Sequence, residues 1–210
     1  LEECSDEQLV ERYRGGTAEA YTVLVQRYRQ ELFHYLVKFV NSRATADDLF
    51  QETFLQVHIS IESFDTSRRF RPWLFTIASN KARDWLRKKK RRNSVNLSAL
   101  APDPSKDEGR GLIDLMESDL PLPETVAQEQ ETRQRIEAMV EQMPDHLREV
   151  LLLAYFQKFA YKEIAEMLNI PLGTVKSRLH AAVAYFADLW KQQADPQRTS
   201  EEADPASDEQ

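Results

Sequence analysis

Glycine is scarce in this chain, with 5 among 210 residues, and no extended stretch alternates apolar with polar residues. Tight strand connections lean on glycine, so the shortage points away from sheets and towards helices. Cysteine is scarcer still. The lone Cys4 excludes an internal disulfide and any structural zinc site built on paired cysteines. No run reaches the roughly 20 apolar residues that a membrane-spanning helix needs. No charged-then-apolar leader opens the sequence either, and these absences together predict a soluble protein of a reducing cytoplasm, with no membrane insertion. The four histidines, His34, His58, His146 and His180, show no metal-ligand spacing, and no glycine loop could cradle a phosphate. No catalytic residue, metal, cofactor or small-molecule substrate is expected.

What the chain does have is charge, sorted by segment. The net charge of -7 argues superficially against a nucleic-acid partner, but an anion sees the local distribution rather than the sum. Lys81, Arg83, Arg87, Lys88, Lys89, Lys90, Arg91 and Arg92 crowd into one stretch, whereas Asp103, Asp107, Glu108, Asp114, Glu117 and Asp119 gather in the middle of the chain. Glu201, Glu202, Asp204, Asp208 and Glu209 make an acidic tail. The hydrophobic fraction of 41% is enough for real cores. An all-α protein is predicted, with two small helical domains over 1–92 and 125–193. A flexible acidic linker over 93–124 joins them, and a disordered acidic tail covers 194–210.

In the first domain Tyr21, Leu24, Tyr28, Leu32, Tyr35 and Phe39 recur at spacings of three and four, one apolar stripe of a long helix. Thr45 is a plausible N-cap for the next helix, with Asp47 and Asp48 in its first turn, where the helix dipole favours anions. Phe50, Phe54, Val57 and Ile61 line one face of that helix. Asp48, Gln51 and Glu52 fall on the other, by pattern alone an ordinary solvated face. Pro72 suits the first turn of a further helix reaching about Arg92. Leu74, Phe75, Ala78, Ala82, Trp85 and Leu86 gather on one side of it; Trp73, Thr76, Asn80, Arg83 and Arg87 fall on the other. A stacking platform, a base-edge amide and guanidinium groups are what single-stranded nucleic acid needs. The preceding loop, Ser63 to Arg71, carries Phe64, Arg69 and Phe70 and could hold a base turned out of its stack. Taken singly, Phe64 and Phe70 read first as plugs of the domain core; the whole constellation with the basic run and Trp73 does not.

In the second domain Leu147, Val150, Leu151 and Ala154 make a stripe on a helix beginning near Pro144 and Asp145. Tyr161 to Leu168 reads as a short helix, ended by Asn169, which tolerates the left-handed conformation. A new helix opens at Gly173, with Val175, Leu179, Ala182, Phe186 and Leu189 inward. Lys176, Ser177, His180 and Ala181 face outward, with Thr174 and Arg178 at the margins. This is a helix-turn-helix whose second helix suits a major groove, and Lys176 and Arg178 are the natural partners for guanine edges or phosphates.

Three stretches, Asp47 to Phe54, Phe70 to Asn80 and Ile170 to His180, resemble the signatures of extracytoplasmic-function RNA polymerase sigma factors of the sigma-70 family, and lie in the family's order. The resemblance implies a promoter-recognition subunit of a bacterial cytoplasm, not an enzyme in its own right. It makes Asp47, Asp48, Gln51 and Glu52 contacts for the β′ clamp helices of core RNA polymerase. It assigns Phe64, Arg69, Phe70, Trp73, Thr76, Asn80, Arg83 and Arg87 to the melted −10 element of promoter DNA. Thr174, Lys176, Ser177, Arg178 and His180 would read the −35 element as duplex, and the same domain would meet the polymerase β flap. An anti-sigma factor is the further partner implied. Ala181, Ala182 and Val183 stand where relatives often carry arginine, so fewer phosphate contacts and a flatter salt dependence are expected. Asp103 to Asp119 could mimic nucleic acid in the polymerase RNA path. Two other classes remain open on the residues: a helix-turn-helix regulator acting without polymerase, and a sigma-like decoy for an anti-sigma factor. The regulator has no need of Trp73, Asn80 and Arg83 on a wet face, and a decoy should have lost its base-reading residues, yet Lys176, Arg178 and the basic run remain.

Overall fold

The computed structural model describes residues 1, 3–96 and 135–194. The first expected domain, save residue 2, and residues 135–193 of the second lie within these residues, whereas 125–134 and nearly all of the expected linker and tail, including Asp103 to Asp119, lie outside them. Among the described residues every regular element is helical. None of these helices is long and apolar enough to cross a membrane.

The N-terminal domain holds α1 (Asp6–Arg14), α2 (Ala18–Val40), α3 (Arg43–Ser60) and α4 (Phe70–Asn96). Helix α1 starts at a capping box. The Ser5 hydroxyl accepts from the Gln8 N–H at 3.2 Å, and the Ser5 N–H donates to Gln8 Oε1 at 3.0 Å. Helix α2 buries Leu24, Tyr28, Leu32, Tyr35, Leu36 and Phe39, the expected stripe with Leu36 added and Tyr21 only half-buried. It ends at Asn41, whose φ of 52° is the left-handed turn that frees the chain to reverse. Helix α3 then starts earlier than the sequence predicts. Ser42, not Thr45, is the N-cap, its hydroxyl accepting from the Thr45 N–H at 3.3 Å. The turn at Asn41 leaves Ser42 extended, so it captures the free amide first, and Asp47 and Asp48 fall just beyond the first turn. Pro72 does lie in the first turn of α4, which runs on to Asn96.

The C-terminal domain comprises α5 (135–142), α6 (Asp145–Leu151), α7 (Tyr161–Leu168) and α8 (Leu172–Ala194). After α6 the chain widens into a π turn, Leu152–Phe156, in which the Gln157 N–H donates to the Leu152 carbonyl at 2.9 Å. Glu163 caps α7 by accepting from the Ala160 N–H at 2.9 Å. Asn169, φ 52°, ends α7 as its side-chain chemistry predicts.

The two domains are packed against each other. Phe75 of α4 meets Phe159 edge-on, with centroids 5.2 Å apart. The Arg71 guanidinium stacks over Phe159 at 4.2 Å, donates to the Gln157 carbonyl at 2.8 Å and pairs with Glu31. Arg148 of α6, 7% exposed, donates to the Phe39 carbonyl at 3.0 Å, satisfying a C-terminal carbonyl of α2. Inside the first domain, the Tyr35 hydroxyl lies 2.7 Å from Ser79 Oγ, both buried. Burial holds the Tyr35 phenol well above its ordinary pKa of 10.0, with the Glu149 charge adding to the rise.

Two outcomes follow from these buried polar groups. Tyr35→Phe leaves the Ser79 hydroxyl without its partner and is expected to cost about 1–3 kcal/mol in urea denaturation. The Tyr35→Phe, Ser79→Ala double variant should cost less than the sum of the two single ones, and additive costs would show that the pair is not coupled. Glu149 supplies a pH test. Burial pushes its carboxyl up to about 7 from an ordinary 4.5, against the lowering pull of Arg83 and Arg178. A carboxyl that holds its proton more tightly in the folded chain stabilises that chain fully below about 4.5, and the contribution is lost as pH rises through about 7. Wild-type stability should therefore fall more steeply from about pH 5 to about pH 8 than that of Glu149→Gln, which stays neutral; equal slopes would rule the effect out.

Candidate nucleic-acid and polymerase interfaces

Helix α4 divides its residues between three environments. Leu74, Phe75, Ala78 and Ala82 are buried, as their spacing predicts, and Trp85 and Leu86 half-buried. Asn80 and Arg87, seven residues and two turns apart, are exposed on one face, with Trp73 and Thr76 half-buried beside it. The Thr76 hydroxyl is turned back on the Pro72 carbonyl at 2.8 Å. Asn80 Oδ1 accepts from Arg83, and Arg87 pairs with Asp84. The basic run from Arg87 to Arg92 is exposed throughout. Arg83, half-buried, also reaches towards the second domain. Its Nε lies 3.4 Å from Glu149 Oε1, an oxygen with no hydrogen-bond partner and a side chain only 3% exposed.

The loop before α4 resolves the alternatives left open for its two phenylalanines. Phe70 is fully buried and Phe64 is 6% exposed, so both close the core. Phe64 packs on Trp73 at 4.7 Å and edge-on against Phe70 at 5.8 Å. The aromatic trio forms a floor beneath a polar rim of Ser63, Asp65, Ser67, Arg68 and Arg69, all exposed. Arg69 reaches Glu163 of the second domain at 3.3 Å. Arg71, placed in the loop by sequence but given no role there, stacks against the second domain instead.

The helix-turn-helix is formed by α7, Asn169 to Pro171, and α8. The Pro171 carbonyl accepts from Thr174 and Val175, starting α8. Val175, Leu179 and Ala182 are buried; Lys176, Ser177, His180 and Ala181 are exposed, and Thr174 and Arg178 intermediate. The division matches the helical wheel residue for residue, except that Phe186 and Leu189, near the free end of α8, are only half-buried.

On α3, Asp47, Asp48, Gln51 and Glu52 are all exposed, with Glu52 3.7 Å from Lys81. Two residues that sequence reading missed extend this face: Leu55, 60% exposed, and Ile59, 65% exposed. Their signal was available, since both fall off the Phe50–Phe54–Val57 stripe. Asp48, Gln51, Leu55 and Ile59 make a continuous row along α3, apolar at one end and acidic at the other. The structure thus places the candidate residues apart: one row on α3, one face on α4 with its loop, and one face on α8.

Residues 24–92 match the family model for Sigma-70 region 2, and residues 133–185 that for Sigma-70, region 4. The chain is 30% identical over 171 residues to the ECF RNA polymerase sigma factor SigW of Bacillus subtilis, covering 81% of this chain and 89% of that one. It is 33% identical over 182 residues to the ECF RNA polymerase sigma-E factor of Haemophilus influenzae, covering 86% and 93%. Its fold is similar to that of CnrH, solved in complex with the cytosolic domain of CnrY, with a TM-score of 0.60, 22% identity, and 89% and 97% of the two chains covered. The sigma factor RpoE of Bartonella quintana, solved with the anti-sigma factor NepR, gives a TM-score of 0.60 at 21% identity, with 81% and 96% covered. This chain belongs to the extracytoplasmic-function sigma factors of the sigma-70 family, regulatory DNA-binding proteins of transcription initiation.

Proposed function

We propose that this chain, acting in the bacterial cytoplasm, divides the work of promoter-specific initiation among its three faces. The row from Asp48 to Ile59 on α3 docks on the β′ clamp helices of core RNA polymerase. Asn80 and Arg87, with Trp73 and the rim of the preceding loop, hold the melted −10 strand. Thr174, Lys176, Ser177, Arg178 and His180 read the −35 duplex, and the same domain meets the β flap. An anti-sigma factor is the expected inhibitor. Polymerase supplies the bond-making chemistry; this chain supplies sequence reading and strand capture, and is not itself an enzyme.

The observation that carries this reading is two separate exposed polar faces in one chain, with Asn80 and Arg87 on α4 and Lys176, Ser177 and His180 on α8. A duplex-binding regulator needs only the second. Capturing a base outside the stack offsets the few kcal/mol of unstacking and unpairing that opening costs. Phe64 and Phe70 contribute from below, as the packed floor under Trp73 and the loop, rather than as exposed stacking surfaces. Arg69 and Arg83 are held by Glu163 and Glu149 in this arrangement, so binding the −10 strand through them requires those two carboxylates to be displaced.

Run-off transcription from a genomic fragment library, with core polymerase and with or without this chain, tests the reading. Transcripts starting a fixed distance below a shared two-part element are expected; no initiation and no binding to core polymerase would overturn it. On the promoter so found, Lys176→Ala and Arg178→Ala should each weaken −35 duplex binding by about 1–3 kcal/mol. Asn80→Ala should leave duplex affinity unchanged and reduce strand opening, read by permanganate reactivity of unpaired thymines. Leu55→Asp and Ile59→Asp should each lower affinity for core polymerase by about tenfold with DNA reading intact. Wild-type affinity in both would remove α3 from the interface.

A further inference from the structure

Helix α1 lies before the stretch matched to Sigma-70 region 2, which begins at residue 24, and the three faces described above leave it without a task. Its polar side chains nevertheless converge on one place. Arg14, from the last turn of α1, donates through Nε to the Ile61 carbonyl at 3.0 Å, and through Nη2 to the carbonyls of Ile61 and Phe64. Glu7, from the first turn, accepts from the Phe70 N–H at 2.9 Å. The loop between Ile61 and Phe70 is thus tied at both ends to the same short helix, by contacts reaching 47 to 63 residues along the chain.

The helix is itself well anchored. Leu9 and Val10 are fully buried, and Asp6 pairs with Arg27 at 2.5 Å and accepts from the Tyr28 hydroxyl. Between its two ties the loop backbone is turned by local bonds: Asp65 Oδ1 accepts from the Ser67 N–H at 3.0 Å, and the Asp65 carbonyl from the Arg68 N–H at 2.9 Å. Below it Phe64 packs on Trp73. A guanidinium bonded to two carbonyls three residues apart fixes the loop's entry as a rigid fork. A carboxylate on the Phe70 N–H satisfies a free amide of the α4 N-terminus and fixes the loop's exit.

We propose that Arg14 and Glu7 are positioning residues for the strand-capture loop, setting the shape of its exposed rim so that one displaced base is held in preference to others. The inference rests on the −10 reading given above and adds α1 to its machinery. Neither residue touches DNA; both act through the backbone of the loop. Glu7 is suited to the role because burial, which raises its carboxyl, is outweighed by hydrogen bonds, from the Phe70 N–H foremost, and the group stays ionised.

The test uses the full chain with core polymerase on a promoter library randomised through the −10 and −35 elements. Arg14→Ala is expected to flatten the −10 base preference by about tenfold while −35 preference and core affinity stay within about twofold of wild type. Arg14→Lys, which keeps charge but loses the fork, should fall between, and Glu7→Gln should show a smaller flattening of the same kind. Hydrogen exchange of amides 63–69 should quicken in Arg14→Ala while amides of α2 stay protected. A sharp wild-type −10 preference that Arg14→Ala and Glu7→Gln both retain would overturn the proposal and leave the strand-capture reading standing. So would a loss spread evenly over both promoter elements, the mark of a merely structural role. A wild type with no −10 preference would sink the strand-capture reading and this inference with it.

Discussion

Helices α2 and α4 cross where Tyr35 meets Ser79 and Phe75, and the rest of the molecule is arranged around that crossing. Phe39 and Phe75 lie 5.8 and 5.3 Å from the Tyr35 ring, and all three are buried to within 1% of complete exclusion. Because α4 is held there on one side, its Asn80–Arg87 face is left to solvent. The Phe39 carbonyl at the end of α2 becomes the acceptor for Arg148, and Phe75 presents its far side to Phe159. Both domains therefore take their placement from one small aromatic cluster. Its single internal polar contact is satisfied within the cluster, which is what makes burying two hydroxyls tolerable.

The parts that could be read in the sequence are those governed by contacts along one helix or across one turn. Tyr161 to Leu168 could be bounded to the residue because a period of 3.6 runs into Asn169, and Asn169 takes the left-handed turn that its side chain favours. The outward set on α8 was legible for the same reason. The α3 start was not, since Ser42 and Thr45 are both good caps and only the turn at Asn41 decides between them. Phe64 and Phe70, which taken singly read as plugs of the core, are buried, but the Trp73 ring they share across the loop was not legible. The residues that sequence reading passed over, Arg14, Arg71 and Glu149, act across 47, 86 and more than 60 residues of chain. No local period carries such information. An arginine on a wheel looks solvated whether it faces water or the next domain.

That last ambiguity bears on function. Two of the guanidinium groups on the strand-holding side are met in this arrangement by carboxylates of the second domain: Glu163 against Arg69 and Glu149 against Arg83. Carboxylate and phosphate present the same fork of oxygens to arginine, so the second domain and the −10 strand compete for the same side chains. The two contacts differ in kind. Arg69 is 79% exposed and its pair is screened by salt, so it contributes little to holding the domains together. Arg83 faces an almost wholly buried Glu149 whose carboxyl is raised to about 7 and lacks a hydrogen bond at Oε1. Such a pair is a poor source of stability, because desolvation of the carboxylate is incompletely offset. What holds the domains in register is instead the well-buried part of the interface, Phe75 on Phe159 and Arg148 on the Phe39 carbonyl. The charged contacts add selectivity at little cost to release, so a polyanion that takes up Arg69 and Arg83 need displace only the weakest bonds between the domains.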